Sequence, residues 1–423
     1  MSDLGCKVRS SYGQQSRDGS ESPGVFDQDE LWTPEGHLYR NGDWRLRFPA
    51  LLAVMVVATT LAACGTPRPV AGFLAPVTAP APGASEHTVL VATTRQRDET
   101  PGTMFNGERS FTLNYAELTI SVPPNHTPGK VEFAQSAPGN PNTDFVVRDA
   151  EYLDGDKQFV QALNAQLAAR PRGERNVFIY VHGFNTLFAE AAYTAAQLVN
   201  DSHAPAVPVL FTWASRGQPL QYVYDTNSAT TARDNLVHML QLVMSSNAEK
   251  VNILAHSMGN WVTVEALRQI KIAGKFKDVS KVGLVVLAAP DLDMDVFKSE
   301  LRGFGKIHKP FYVVLSRDDK ALGLSNFIAG GQSRVGNATD TAELTDLGAT
   351  VIDLTDVKSM DDANHGKFMQ LAEVGPQLRT LLASGIQTRA PPSGAATATS
   401  SLITILGAPV KIIAAPIQAI SNQ

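Results

Sequence analysis

The sequence predicts an α/β fold with a mostly parallel central sheet covered by helices on both faces. Two observations carry that prediction. From about His87 to Leu382 short, near-continuous apolar runs alternate with helix-length segments, the pattern of strands buried on both faces. The chain also has 423 residues, 43% hydrophobic and 18% charged, enough for a sizeable core.

Thr88-Val-Leu-Val-Ala92 and Tyr115–Val122, the latter closed by Pro123-Pro124, read as strands. A helix is predicted over Lys157–Ala169, followed by a strand at Asn176–Val181, a helix from Phe188 and a strand at Val207–Thr212. The alternation continues with a helix over Ala229–Ser245, a strand at Val251–Ala255, a helix from Met258 and a strand at Val282–Leu287. A short helix near Val296, strands at Phe311–Leu315 and Thr350–Leu354, and a helix from Lys367 complete the series. The stretch from Gly323 to Gly348, rich in Gly, Ser, Asn and Thr, reads as a loop.

Outside this body the composition changes. Residues 1–63 read as an export signal with an unusually long polar leader: Arg45 and Arg47 precede the apolar run Phe48–Ala63, which ends in small residues. Leu61-Ala62-Ala63-Cys64 resembles the bacterial lipoprotein cleavage box, which makes Cys64 the expected lipidation site and the membrane an expected partner of an exported, envelope-anchored chain. Residues 64–86 read as a Pro/Ala/Gly tether, residues 87–385 as the folded domain and residues 386–423 as a low-complexity, apolar C-terminal tail. Two prolines and a lysine argue against a spanning helix in that tail, leaving a membrane-surface contact or a strip packed on the body.

Charge and cysteine counts exclude several classes. With 36 Lys+Arg against 41 Asp+Glu and a pI near 6.0, a partner bound through bulk basic charge, such as nucleic acid, is not expected. The only two cysteines, Cys6 and Cys64, precede the folded part, so it holds neither a disulfide scaffold nor a cysteine nucleophile. No Gly-x-x-x-x-Gly-Lys-[Ser/Thr] loop occurs, and the histidines are not spaced as a metal site.

The chemistry centres on Ala255-His256-Ser257-Met258-Gly259, between a predicted strand and a predicted helix. It resembles the nucleophile elbow Gly-x-Ser-x-Gly with alanine in the first position. Small residues flank the serine because the turn is tight, and the following helix offers it a positive end. A serine hydroxyl needs a histidine base, and the histidine needs a carboxylate partner. Of nine histidines only His308 and His365 follow Ser257, and His308 lies at the wrong end of its strand, so His365 is the expected base. Asp319, in Ser316-Arg-Asp-Asp-Lys-Ala-Leu322, is the favoured acid. Asp318 is its close rival, and Asp291 and Asp293 offer a less common position. An oxyanion would be held by the amides of Met258 and Phe184, with Gly183 allowing close approach, Gly259 opening the helix and His182 positioning the loop. Trp213 reads equally as a pocket wall or as core, and Arg95 and Arg216 as exposed or loop-bracing residues.

Thr93-Thr-Arg95, Pro123-Pro124, His182-Gly-Phe-Asn185, Phe211-x-Trp-x-Ser-Arg-Gly217, the elbow, Ala288-Ala-Pro-Asp291 and Ser316-Arg-Asp-Asp-Lys-Ala-Leu322 fall in that order. Together they resemble a bacterial α/β-hydrolase family of unknown function in the esterase/lipase superfamily. The resemblance implies an α/β-hydrolase fold and a Ser257–Asp319–His365 triad with neither metal nor organic cofactor. The expected substrate is a small-molecule or lipid acyl ester cleaved through an acyl-enzyme. The same triad would serve an amidase or acyltransferase acting on envelope components, and a tethered scaffold with an unused site is the reading of another class.

Overall fold

Every second residue of the central strands faces a different helix layer, and this alternation builds two cores. The computed structural model describes residues 68–274, 281–304, 311–372, 399–405 and 408–414. The export signal, Cys64, His308 and residues 386–398 lie outside the described residues.

The elements are β1 (Ser85–Arg97), β2 (Phe105–Val122), β3 (Val146–Leu153), α1 (Gly155–Ala168), β4 (Asn176–Val181), α2 (Phe188–Ser202), β5 (Ala206–Thr212) and α3 (Tyr222–Ser245). They continue with β6 (Lys250–His256), α4 (Gly259–Ile272), β7 (Val282–Ala288), α5 (Met294–Phe304), β8 (Phe311–Leu315), α6 (Lys320–Ile328), α7 (Ala342–Asp346), β9 (Thr350–Asp353), β10 (Thr399–Ile405) and β11 (Ala408–Ala414).

The 11 strands form one sheet in the order β10-β11-β9-β8-β7-β6-β4-β5-β1-β2-β3. The block from β9 to β1 is parallel throughout, and β2–β3 and β11–β10 extend its two edges in antiparallel fashion. This is the α/β-hydrolase architecture expected. Val177, Ile179 and Val181 of β4 point into one core with α1, α3, α4 and α5, while Tyr180 points into the other with α2. All seven residues of β5 are buried, as a strand covered on both faces requires.

Two readings from composition are corrected, and for the tail one of the two alternatives is met. Residues 68–84, expected to hang free as part of the tether, pack on the domain: Phe73 and Leu74 are buried, and the Val77 amide donates to the Val147 carbonyl at 2.8 Å. In the expected tail, residues 399–405 and 408–414 form an antiparallel strand pair packed on the body, the second strand pairing with β9 through Ile412 and Ile352 and burying Val410 and Ile412. The 323–348 stretch holds most of α6 and all of α7. Two boundaries also move. α3 starts at Tyr222 rather than Ala229, its first turns stapled by Thr226 Oγ1 and Ser228 Oγ donating to carbonyls four residues back. From Lys367 the described chain forms a 3₁₀ turn to Leu371 in place of the start of a helix.

The β2–β3 connection is tied to α2 by a buried charge clamp. His126 lies 2.7 Å from Glu132 through Nδ1 and 2.7 Å from Asp201 through Nε2. Burial works against its cation, but the hydrogen bonds to Asp201 and Glu132 raise its pKa from 6.5 to about 9. A folded-state pKa above the unfolded one means that the clamp's stabilisation is complete below about pH 6.5 and is lost as pH rises through about 9. Thermal unfolding of the wild type should therefore shift to lower temperature between pH 7 and 10. A His126→Gln variant should start lower and show a flatter profile, and parallel profiles would reject the clamp.

Candidate active site

Four loops beyond the carboxyl ends of β4, β6, β8 and β9 supply the site. β6 delivers Ser257 at φ +52°, a left-handed conformation that costs a non-glycine residue about 1–3 kcal/mol and must be held by its surroundings. Those restraints are visible. The Ser257 amide donates to the Ala288 carbonyl at 2.9 Å, and the Asp291 amide donates to the Ser257 carbonyl at 3.2 Å. Fully buried Asn260 donates through Nδ2 to the carbonyls of both Ser257 (2.8 Å) and Ala288 (2.9 Å). Asn260 escaped the sequence reading because an asparagine in the first turn of a helix signals nothing about the turn before it.

Two glycines set how closely the β4 and β6 loops approach. A Cβ on Gly259 would lie 2.3 Å from the His182 carbonyl oxygen, and one on Gly183 would lie 2.6 Å from the Ser257 Cβ. Neither position accommodates a side chain, so Gly183 supports the close approach expected of it and Gly259 owes its identity to the backbone of the neighbouring loop. No acceptor among the described residues takes the amide hydrogens of Phe184 or Met258. Both remain available to a developing oxyanion.

His182 is buried among backbone groups. Its Nε2 accepts from the Trp213 amide at 3.0 Å, its Nδ1 faces the Gly183 carbonyl at 2.8 Å, and its ring stacks on Trp213 at 4.8 Å. Burial first, and then the charge of Arg95, lowers its pKa to about 3, so it is a neutral strut rather than a base. Trp213, fully buried, returns a bond from Nε1 to the His182 carbonyl at 3.0 Å and belongs to the core.

Arg95 is buried as well and braces the same loop. It donates to Thr212 Oγ1 (2.8 Å) and to the carbonyls of Ser215 (2.8 Å) and Thr186 (2.7 Å). Burial lowers its pKa to about 10, which leaves it cationic at neutral pH. Asp225 faces it across the loop, accepting from the amides of Asn185 (3.1 Å) and Arg216 (3.2 Å). Burial pushes the Asp225 carboxyl above the usual range, and its hydrogen bonds and Arg95 act in the opposite direction. Arg216 instead pairs with Glu108 at the surface.

The acid and the base meet. Asp319 caps α6, its Oδ1 accepting from the Leu322 amide at 2.9 Å, and its Oδ2 accepts from His365 Nδ1 at 2.7 Å. The His365 ring leans on that of His256 at 4.6 Å, which sets it beside the elbow. His256 is itself wedged against Phe368 at 4.4 Å; burial, with His365 alongside, holds its pKa well below 6.5 and keeps it neutral.

The rival acids are committed elsewhere. Asp318 binds buried Lys367 Nζ (2.7 Å) and Asn364 Nδ2 (3.0 Å); burial opposes its ionisation, but Lys367 and Ser316 hold it below the usual carboxylate range. Asp291 accepts from Tyr222 and Ser325, and Asp293 Oδ1 accepts from the Asp295 and Val296 amides at the start of α5. The loop bearing His365 is organised by Asp361, which accepts from the amides of Ala363, His365 and Gly366. Among the described residues no group of three or more His, Cys, Asp or Glu is arranged to hold a metal.

Residues 156–383 match the model of a family described as alpha/beta hydrolase of unknown function (DUF900). The chain belongs to that family. Membership supports hydrolase chemistry, and the matched range contains the elbow, Asp319 and His365. A comparison with curated proteins returns no match.

Two expectations follow from this geometry. Gly183→Ala should lower stability by about 1–3 kcal/mol in chemical denaturation, because the loop must back away from Ser257. A wild-type denaturation midpoint in Gly183→Ala would show that the loop has room to move. Asp319→Asn should cut kcat by about 10⁴-fold, whereas Asp318→Asn should leave kcat within about tenfold and cost no more than about 1 kcal/mol of stability, its side chain being 42% exposed. The opposite ranking in steady-state kinetics would exchange the two roles.

Proposed function

We propose that the protein is a serine hydrolase of carboxylic esters. The observation that carries the reading is the 2.7 Å contact between Asp319 and His365 beside the strained Ser257 turn. In this reading His365 Nε2 takes the Ser257 proton as Oγ attacks the acyl carbonyl, and Asp319 holds Nδ1–H and stabilises the imidazolium. The amides of Phe184 and Met258 receive the negative charge of the tetrahedral intermediate. His365 then returns the proton to the leaving alcohol, and water releases the acyl group from Ser257 by the same route.

Fluorophosphonate labelling of the purified chain is the direct test. Wild-type protein should be labelled at Ser257, and both Ser257→Ala and heat-unfolded protein should not. Ser257→Ala should keep the wild-type unfolding temperature within a few degrees, since its Cβ and backbone are unchanged. Undiminished labelling or ester hydrolysis by Ser257→Ala would reject Ser257 as the nucleophile.

A further inference from the structure

Large apolar side chains stand in solvent at the rim of the candidate site. Leu220 is 96% exposed and Val223 69% at the start of α3, and Leu324, Phe327 and Ile328 on α6 are 60%, 81% and 50% exposed. The two segments are joined directly, because Tyr222 Oη lies 2.9 Å from Ser325 Oγ. The junction also touches the site. Tyr222 donates to Asp291 at 3.1 Å, the Asp291 amide donates to the Ser257 carbonyl, and the Tyr222 ring packs edge-on against Phe184 at 5.1 Å. Both segments follow parallel strands at their carboxyl ends, the edge that carries Ser257.

The two segments themselves carry no charged side chain. No Asp, Glu, Lys or Arg occurs from Gly217 to Tyr224 or from Ala321 to Ser333. Exposed apolar residues gathered in one uncharged strip mark an interaction surface. Exposed, uncharged aliphatic and aromatic side chains of this kind are those that enter the headgroup–acyl boundary of a lipid surface.

The position of the amino-terminal chain points the same way. Arg68 donates to the Gly217 carbonyl at 2.6 Å and to the Asn185 carbonyl at 2.7 Å, so the described chain begins at this rim. Cys64 is four residues earlier in the sequence. The apolar run Phe48–Ala63 immediately precedes it. The segments expected to hold the chain at a membrane are thus adjacent in sequence to the point where the described chain meets this rim.

We propose that Leu220, Val223, Leu324, Phe327 and Ile328 form a lipid-docking face, and that the site cleaves acyl esters of lipids drawn from the surface on which it rests. The substrate class rests on the ester-hydrolase reading; the docking does not.

The test uses the full chain with Cys6→Ser and Cys64→Ser, so that neither a lipid anchor nor a second thiol contributes. A nitrobenzoxadiazole label is placed at Phe327→Cys or, as a control, at Ile272→Cys, an exposed position at the far end of α4 and so at the opposite sheet edge. Vesicles of phosphatidylcholine and phosphatidylglycerol in equal parts should brighten and blue-shift the label at 327 and leave the one at 272 unchanged. No change at 327, or equal change at both positions, overturns the docking. Concentration-dependent self-association abolished by Leu220→Ser/Phe327→Ser, with no response to vesicles, would assign the face to a second copy and overturn it too.

In parallel, Leu220→Ser/Phe327→Ser should hydrolyse p-nitrophenyl palmitate in those vesicles at least about tenfold more slowly than wild type, while retaining soluble p-nitrophenyl acetate hydrolysis. Equal loss on both substrates, or on neither, overturns the lipid-substrate assignment. Wild-type protein inert toward both esters would overturn the ester-hydrolase reading, and the label at 327 would still report on docking.

Discussion

The close approach of the β4 and β6 loops is the constraint on which the site depends. Ser257 is held in a left-handed turn, and the backbone of His182 and Gly183 passes so near that Gly183 and Gly259 have no room for a Cβ. The amides of Phe184 and Met258, which follow Gly183 and Ser257 on these two loops, find no acceptor among the described residues. The close approach also requires the β4 loop to be rigid, and the anion-binding role proposed for the Phe184 amide depends on that rigidity.

Rigidity comes from polar groups taken out of water and satisfied internally. Neutral His182 is fixed by Trp213, and the cationic Arg95 and the carboxylate Asp225 grip Thr186, Ser215, Asn185 and Arg216 from opposite sides. A buried charge network of this kind is a poor source of net stability, because desolvation offsets most of the Coulomb attraction. Its contribution here is geometric. Removing either side chain would leave the loop groups that it binds without their partners, so the loop would lose part of its brace. His365 is positioned by the same economy of means: Asp361 collects the amides of its loop, Lys367 occupies Asp318, and Asp319 pairs with His365.

Around this centre, the sheet's edges are built from chain that composition alone assigned to linkers. The 68–84 segment is pinned by Phe73 and Leu74, and Arg68 ties it to the oxyanion-loop residue Asn185 and, through an ion pair, to Glu190. The hairpin of β10 and β11 covers what would otherwise be an exposed β9 edge, a common liability of open sheets. Residues outside the expected domain therefore contribute to the body that holds the site.

The order of the parallel strands with the helices from α1 to α5, the elbow at Ser257 and the pairing partners open to it were legible in the sequence, because they rest on local physics. Near-continuous apolar runs between helix-length segments, a strand–turn–helix junction flanked by small residues and the scarcity of histidines after Ser257 need no knowledge of long-range contacts. Tertiary structure decided the rest. Asp318 and Asp319 are adjacent and chemically identical, and only the neighbouring loops give one to Lys367 and the other to His365. Arg95, Asp225, Asn260 and Asp361 act through partners distant in sequence or through backbone groups, which leave no periodic trace. The Pro/Ala/Gly strap and the terminal hairpin lack the amphipathic repeats that announce packing. Their few apolar anchors acquire meaning only from the surface that receives them.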